Sequence, residues 1–246
     1  MEYRLVSDIH THTIYSHGKG RIESNVDAGA AKGLDTVGIA DHGPGHFLFG
    51  VDLMKVPQMR SDIERARQAH PGLEVLLGVE ANIIDADGSL DVKKEDQKLF
   101  DYILAGYHYG VFGKSPVRAV RILLGGYVHG ILGCSTSSAV NRNTDTVIAA
   151  LHENDIRILT HPGDKAAFDI PAIAQACAET GTLMEINAHH RCLTVDGIRQ
   201  AMKYDVRFWL SSDAHLPVNV GNIDAALRRA VSAGLDLSRI ANLERI

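Results

Sequence analysis

Short apolar runs alternate with longer amphipathic segments along the whole chain. Seven of the runs are compact and nearly continuous, as expected for strands of a parallel sheet that is covered on both faces. The predicted strands are Arg4–Ile9, Thr36–Ala40, Glu74–Val79, Tyr102–Ala105, Arg157–Thr160, Thr182–Ile186 and Arg207–Leu210. Each distance between consecutive strands leaves room for a right-handed crossover connection.

Helix-length segments follow the strands, and several end before glycine or begin with proline in the first turn. The predicted helices are Ile22–Lys32, Val56–Ala69, Pro116–Leu124, Asn143–Asn154, Pro171–Thr180, Thr194–Tyr204 and Asn222–Ala233. Seven strand-then-helix units predict an α/β fold with a closed or nearly closed parallel barrel, and an open doubly wound sheet is the alternative. We expect one domain over residues 1–246. The irregular segment Gly110–Asn141 is predicted to form a helix and an active-site loop.

Composition excludes several classes of protein. The chain carries 25 Lys and Arg against 30 Asp and Glu, a net charge of −5, which argues against binding a long nucleic acid through bulk positive charge. Its longest apolar stretch, Val117–Cys134, is interrupted by arginine and glycine, so we expect no membrane span. Three widely spaced cysteines and the polar N-terminus favour a reduced, cytoplasmic protein, whose oligomeric state the sequence leaves open.

The 13 histidines are unusually many, and several follow the predicted strands directly. In an extended chain, residues two apart point to the same face, so His10 and His12 can offer two imidazoles to one metal ion. Five further strands end in histidine or a carboxylate. Because the carboxyl ends of parallel strands meet at one rim of a barrel, we expect these side chains to converge there.

Nine groups form this predicted metal-binding set. They are His10, His12, His17, His42, Glu80, His108, His161, Asp213 and His215. Nitrogen and oxygen ligands without thiolates suit zinc, manganese, iron or nickel in a catalytic site. Nine groups are too many for one divalent ion, which takes about four to six ligands, and they suit two or three ions if a carboxylate such as Glu80 bridges.

The same residues, in this order, resemble the PHP (polymerase and histidinol phosphatase) family. The matching motifs cover the chain from Ile9 to His215, and they are His10-Thr11-His12, His17, Asp41-His42-Gly43, Glu80, His108, His161-Pro162-Gly163 and Asp213-Ala214-His215, with Glu185-Ile186-Asn187 as a further likeness. The stand-alone bacterial PHP phosphatases are the most similar members. This resemblance implies a distorted (β/α)7 barrel and a centre of three divalent ions, usually zinc, with manganese or iron as alternatives.

The resemblance also implies how the ligands are shared. The first ion would be held by His10, His12, Glu80 and Asp213, the second by Glu80, His108 and His161, and the third by His17, His42 and His215. Asp41, Glu80 and Asp213 are the predicted catalytic carboxylates, while Asn187 and Arg191 are the predicted substrate contacts. Asp8 and Asp41 neighbour ligand histidines, so we expect them to accept the second ring N–H and fix the tautomer.

These features predict a metal-dependent hydrolase that cleaves a small phosphomonoester, with hydroxide generated at the metal ions as the nucleophile. The expected partner is a small phosphorylated molecule, with no membrane and no long nucleic acid. One alternative is a phosphodiesterase acting on nucleotides or short single strands. Another is a metal-binding module without catalytic activity.

Overall fold

The computed structural model describes residues 3–111 and 136–246. The predicted helix Pro116–Leu124 and most of the predicted active-site loop lie outside the described residues. Nine strands are described: β1 (Tyr3–Leu5), β2 (Ser7–Asp8), β3 (Thr36–His42), β4 (Glu74–Asn82), β5 (Tyr102–Gly106), β6 (Ile158–Leu159), β7 (Leu183–Asn187), β8 (Phe208–Ser211) and β9 (Leu243–Arg245). All seven predicted strands are therefore present, with shifted ends.

Seven of these strands form one parallel sheet in the order β2-β3-β4-β5-β6-β7-β8, which is also their order along the chain. The first and last strands approach each other beyond their ends, where Thr11 forms a parallel bridge with Ala214. The backbone N–H of His12 donates to the carbonyl of Ala214 at 2.8 Å. The sheet is thus a nearly closed barrel, which confirms the predicted fold and rules out the open doubly wound sheet.

The helices cover the outside of the barrel. They are α1 (Ile22–Ala31), α2 (Val56–Ala69), α3 (Lys94–Gln97), α4 (Ser137–Glu153), α5 (Ile170–Thr180), α6 (Val195–Ala201) and α7 (Asp224–Ala233), with 3-10 turns at Leu53–Lys55, Pro217–Asn219 and Leu237–Arg239. Six predicted helices are confirmed, although α4 begins six residues earlier because Thr136 caps it by accepting from the N–H of Ala139. No helix in the described part of the chain combines the length and apolar character of a membrane span.

The first predicted strand differs from the observed one, since it is divided at Val6. The part before it, β1, leaves the barrel and pairs antiparallel with β9 near the C-terminus. Asn242, which precedes β9, is fully buried and lies between β2 and β8. Its side-chain amide donates to the carbonyls of Ser7 at 2.8 Å and Leu210 at 2.7 Å. A side chain therefore replaces backbone pairing at the lower part of the seam.

A tyrosine fills the interior of the barrel near its amino-terminal base. The Tyr102 hydroxyl donates to the carbonyl of Ile9 at 2.7 Å, and the residue is 6% exposed. Two strand glycines make room for it: a Cβ at Gly78 would lie 2.2 Å from the Tyr102 ring, and one at Gly38 would lie 2.3 Å from its hydroxyl. Ile9, Leu104 and Trp209 complete this inner cluster, and the larger apolar core lies between the barrel and its helices.

Candidate metal centre

The nine predicted metal-binding groups all lie at the carboxyl-terminal rim of the barrel. Each follows or ends a strand, so the parallel order brings together residues that are far apart in sequence. Seven of the nine are buried, and only His17 and His215 are partly exposed. Seven of the nine, all except His10 and His12, line an open cleft of about 360 Å³. The predicted convergence of strand ends is therefore observed.

The carboxylate of Glu80 lies at the centre of this group. Its oxygens are 2.8 Å from His161 Nε2, 3.0 Å from His42 Nδ1, 3.3 Å from His108 Nε2 and 3.4 Å from His10 Nε2. Burial alone would raise the pKa of Glu80, but the surrounding imidazoles, His108 first, hold that pKa well below its usual range. Glu80 is thus an ionised carboxylate shared by four histidines.

Asp213 is the second carboxylate of the centre, opposite Glu80. Its Oδ1 lies 3.1 Å from His12 Nε2 and 3.7 Å from His10 Nε2. Despite burial, which would raise it, the pKa of Asp213 is held well below its usual range by the charge of His10 and the hydrogen bond from His12. His10 and His12 therefore lie between two carboxylates that both carry negative charge.

A cluster made only of imidazoles occupies the outer part of the cleft. His12, His17, His42 and His215 offer four ring nitrogens that all lie within 4.8 Å of one another. Burial lowers the pKa of His17 to about 3, so its ring is neutral at pH 7 and has a lone pair available. Phe49 stacks on the His17 ring with centroids 4.5 Å apart and limits its motion.

Several polar atoms of the centre have no hydrogen-bond partner although they are buried. They include Nε2 of His10, Nδ1 of His12, His17, His42 and His108, and Oε2 of Glu80. His42 Nδ1 lies close to Glu80 Oε2 but without the angles of a hydrogen bond. Leaving such groups unpaired is costly, and divalent ions bound by these lone pairs would remove the cost. The donor set of imidazole and carboxylate fits zinc, manganese or iron.

Two residues of the centre have strained backbones. His161 has φ of 27° and Asp213 has φ of 51°, and they are the only non-glycine residues with positive φ in residues 3–111 and 136–246. Such conformations cost about 1–3 kcal/mol each and persist where the surrounding structure enforces them. Both occur where a strand ends and the chain turns, and both direct a side chain towards the centre of the rim.

The short distances also group the candidate ligands differently from the predicted sharing. Four sets can each surround one point: His12-His17-His42-His215, His10-His161-Asp213, His10-His12-Glu80 and His42-Glu80-His108. His12, predicted for the first ion, lies with the three histidines predicted for the third. His42, predicted for the third ion, shares a set with Glu80 and His108, which were predicted for the second. The sets overlap because neighbouring rings lie close enough to share one point, so the predicted division into three ions is not resolved by the geometry.

Comparison with known proteins places the chain in a family. Residues 8–189 match the model of the PHP domain family. The chain belongs to the PHP family. The predicted family and its general class, a PHP-type metal-dependent phosphoesterase, are therefore confirmed, while the number of metal ions and the substrate are not fixed by the match.

Relatives of this PHP chain align over nearly its whole length. A probable phosphatase from Caldanaerobacter subterraneus subsp. tengcongensis is 31% identical, with 93% of this chain and 83% of the relative covered. A probable phosphatase from Thermoanaerobacter sp. strain X514 is 28% identical, with 98% and 91% covered.

A solved structure shares the fold. It is histidinol phosphate phosphatase from Lactococcus lactis subsp. lactis Il1403, complexed with zinc, L-histidinol and phosphate, with a TM-score of 0.51, 16% identity and 94% of each chain covered. At this identity the likeness supports the barrel fold and no more.

The histidine tautomers of this PHP chain are not held as predicted. Asp8 accepts hydrogen bonds from Ser212 and from the N–H of Gly221, and Asp41 accepts from Thr13 and Ser16. Within the described residues, neither carboxylate bonds to an imidazole ring. Both aspartates instead fasten the turns that follow the strands, so Asp41, predicted as catalytic, holds the turn that precedes His17.

Glu185 makes the contact that was expected of Asp8 and Asp41. Its Oε1 lies 2.6 Å from His10 Nδ1, and its Oε2 accepts from the backbone N–H of His161 at 2.5 Å. The Ser211 hydroxyl also donates to Glu185. The carboxylate therefore fixes His10 with Nε2 directed at Glu80 and Asp213. Glu185 lies two residues before Asn187, so both side chains point to the same face of β7. The sequence pattern alone assigns no role to Glu185.

Asn187 and Arg191, the two predicted substrate contacts, occupy different places. Asn187 is 1% exposed, and its amide donates to Glu185 Oε2 at 3.0 Å and to Asp213 Oδ2 at 3.1 Å. It therefore positions carboxylates of the centre. Arg191 is exposed on the loop after β7, and it lines a neighbouring cavity instead of the metal cleft.

Three side chains at the mouth of the cleft were not predicted. Asp164 Oδ1 lies 3.0 Å from His190 Nδ1, while its other oxygen pairs with the ammonium of Lys165. His190 Nε2 reaches to 3.5 Å from Asp213 Oδ2, so this group connects the mouth to the metal-binding residues. Loop residues such as these carry no periodic signal, because their position depends on how the loops fold over the rim.

Proposed function

We propose that this PHP chain hydrolyses small phosphomonoesters with three divalent ions, zinc or alternatively manganese or iron, held at the strand-end rim. The observation that carries the proposal is the arrangement of seven imidazoles and one further carboxylate, all buried or half-buried, around Glu80. The two bacterial relatives described above are named probable phosphatases, and the solved histidinol phosphate phosphatase is complexed with zinc, L-histidinol and phosphate.

The proposed ligands divide into the three sets that the resemblance to the PHP family implies, with Glu80 shared by the first and second ions. Zinc, manganese or iron bound here would lower the pKa of coordinated water and offset the negative charge of a phosphate. Glu80 and Asp213 supply the negative charge that retains the cations. Glu185 keeps His10 in the tautomer whose Nε2 faces them.

The protein's own side chains also define where the phosphate would lie. The cleft is open to solvent on one side, and its mouth is bordered by the Lys165 ammonium, Tyr109 and His189. The Lys165 ammonium pairs with Asp164, so bound divalent ions would supply most of the positive charge that attracts an anionic substrate to this negatively charged chain. A cleft of this size accepts a small molecule.

The direct test replaces the central carboxylate. Glu80→Gln keeps the volume but removes the charge that four histidines share. Changing a residue that only supports a metal ligand costs up to about 100-fold. Because Glu80 is itself a proposed ligand, we expect a loss of phosphomonoesterase activity of at least about 100-fold. Hydrolysis of a monoester panel and of dinucleotide diesters is measured side by side. Glu95→Gln, on exposed α3, is the matched control.

The outcomes separate the candidate functions. Monoester turnover in the unmodified protein and the Glu95 control, lost in the Glu80 variant, supports the proposal. Release of mononucleotides from the diesters without monoester turnover would replace it with the phosphodiesterase alternative. Full activity in Glu80→Gln would contradict the assignment of the site.

A further inference from the structure

A second cavity adjoins the metal cleft on the side of β7 and β8. It has a volume of about 290 Å³, and it lies between the loop after β7 and the beginning of α7. His189 and Asp213 line both this cavity and the metal cleft, so they form the partition between the two. The two cavities are therefore immediate neighbours, separated by these two side chains.

The walls of this cavity carry unpaired arginines. Arg191 on the loop and Arg228 on α7 both line it, and in the described part of the chain neither forms a salt bridge with a carboxylate. Asp224 lies on the same wall without pairing with them. The other carboxylate, Asp213, is turned to the metal centre, where its oxygens contact His12 and Asn187.

A third arginine lies just behind this wall. Arg229 is half-buried, and its guanidinium donates to two backbone carbonyls, those of Asn187 and Ala225, instead of to an acid. Its Nε is buried without a partner. Burial first, and then the charge of nearby Arg191, lower the pKa of Arg229. Arg191 and Arg229 thus lie near each other, and neither forms a salt bridge within residues 3–111 and 136–246, in a chain whose net charge is −5.

We propose that the cavity between Arg191 and Arg228 is a second anion-binding subsite, which holds a phosphate or carboxylate group at the far end of the substrate. This inference rests on the proposed phosphomonoesterase function, because the near end of that substrate is the phosphate at the metal centre. Guanidinium groups bind both anions through paired N–H donors. The preferred substrate is therefore a phosphomonoester with two anionic ends.

A matched substrate series tests this preference. The series consists of alkyl phosphates with chains of two, four or six carbons. At each chain length, the end opposite the phosphate is a hydroxyl, a carboxylate or a second phosphate. Hydrogen bonds between charged groups are stronger than those to a neutral hydroxyl, so we expect KM at least about tenfold lower for the best anionic end than for the hydroxyl. A gain with both anions indicates a general anion site, and a gain with phosphate alone restricts the substrate to bisphosphates.

Substitution of the two arginines locates the effect. Arg191→Gln/Arg228→Gln should raise KM for the anionic substrates to that of the hydroxyl series while leaving the hydroxyl series itself unchanged. Arg207→Gln is the matched control, since Arg207 is an exposed arginine at the opposite, amino-terminal end of β8. Equal KM values across the whole series, or a preference that survives the double substitution, would overturn the proposal.

A second readout does not depend on turnover. Phenylglyoxal modifies accessible arginines, and peptide mass spectrometry reports the rate at each position. Saturating alkyl bisphosphate should slow the labelling of Arg191 and Arg228 but not of Arg207. Protection without hydrolysis of any monoester would retain the subsite and reject the proposed function. Hydrolysis without protection would retain the function and reject the subsite.

Discussion

The two ends of the barrel interior are built from the same strands but differ in character. Near the base, β4 contributes Gly78, which makes room for the Tyr102 ring. Two residues later the same strand places Glu80, fully buried, among four histidines at the rim. The base is thus apolar and closely packed, with the Tyr102 hydroxyl bonded to a backbone carbonyl, while the rim buries charge and leaves polar atoms unpaired.

This difference separates stability from function within one sheet. Close packing and the hydrogen bond of the Tyr102 hydroxyl at the base contribute to the free energy of unfolding. Buried carboxylates, unpaired imidazoles and the positive φ angles of His161 and Asp213 at the rim each cost free energy. We therefore expect substitutions at the base to change stability, and substitutions at the rim to change metal binding and turnover.

The largest effect on stability is expected from Tyr102→Ala. Removing a buried aromatic ring leaves a cavity beside Gly38 and Gly78 that the barrel cannot close, so the free energy of unfolding should fall by about 3–5 kcal/mol. Urea unfolding of the metal-free protein measures it. Tyr102→Phe, which removes only the hydroxyl that bonds to Ile9, should cost about 1 kcal/mol.

The activity per folded molecule of these variants shows whether a change at the base also affects the rim. Activity per folded Tyr102→Phe molecule should equal that of the unmodified protein, because the hydroxyl lies near the base. If Tyr102→Ala were as stable as the unmodified protein, or if Tyr102→Phe lost activity without losing stability, the separation of base from rim would be wrong.

A smaller effect, on metal binding instead of stability, is expected from Glu185→Gln. The substitution keeps the shape but removes the charge that fixes the His10 tautomer, so metal affinity or activity should fall about 10–100-fold. Competition with a chelator measures the affinity. Because this residue supports the rim, the free energy of unfolding of the metal-free protein should change less than in Tyr102→Ala.

Glu64→Gln controls for the loss of a negative charge, since Glu64 is an exposed residue of α2 that pairs with Arg67. It should leave chelator competition unchanged. A Glu185→Gln variant that binds metal as tightly as this control would show that Glu185 does not orient His10.

The barrel and its rim could be predicted because both depend on local patterns. Buried parallel strands are continuous apolar runs, and parallel order alone brings His10, Glu80 and Asp213 to one rim. The side chains that support them were harder to predict. Glu185 lies in the middle of β7 and Asp41 near the end of β3, and only the depth and direction of each strand determine which carboxylate reaches an imidazole.

The seam of the barrel depends on residues that are distant in sequence. Asn242 lies 32 residues from Leu210 and 235 from Ser7, yet its amide bonds to both carbonyls. The division of the first strand at Val6 has the same origin, because β1 pairs with β9 near the opposite end of the chain. No periodic pattern near either terminus indicates these contacts.

Metal content per chain is the most direct test of the proposed centre of three divalent ions at the rim. Elemental analysis of protein purified without added metal or chelator should give about three equivalents of zinc, manganese or iron, and clearly fewer in Glu80→Gln. One equivalent or none, persisting after incubation with each metal in turn, would contradict the account.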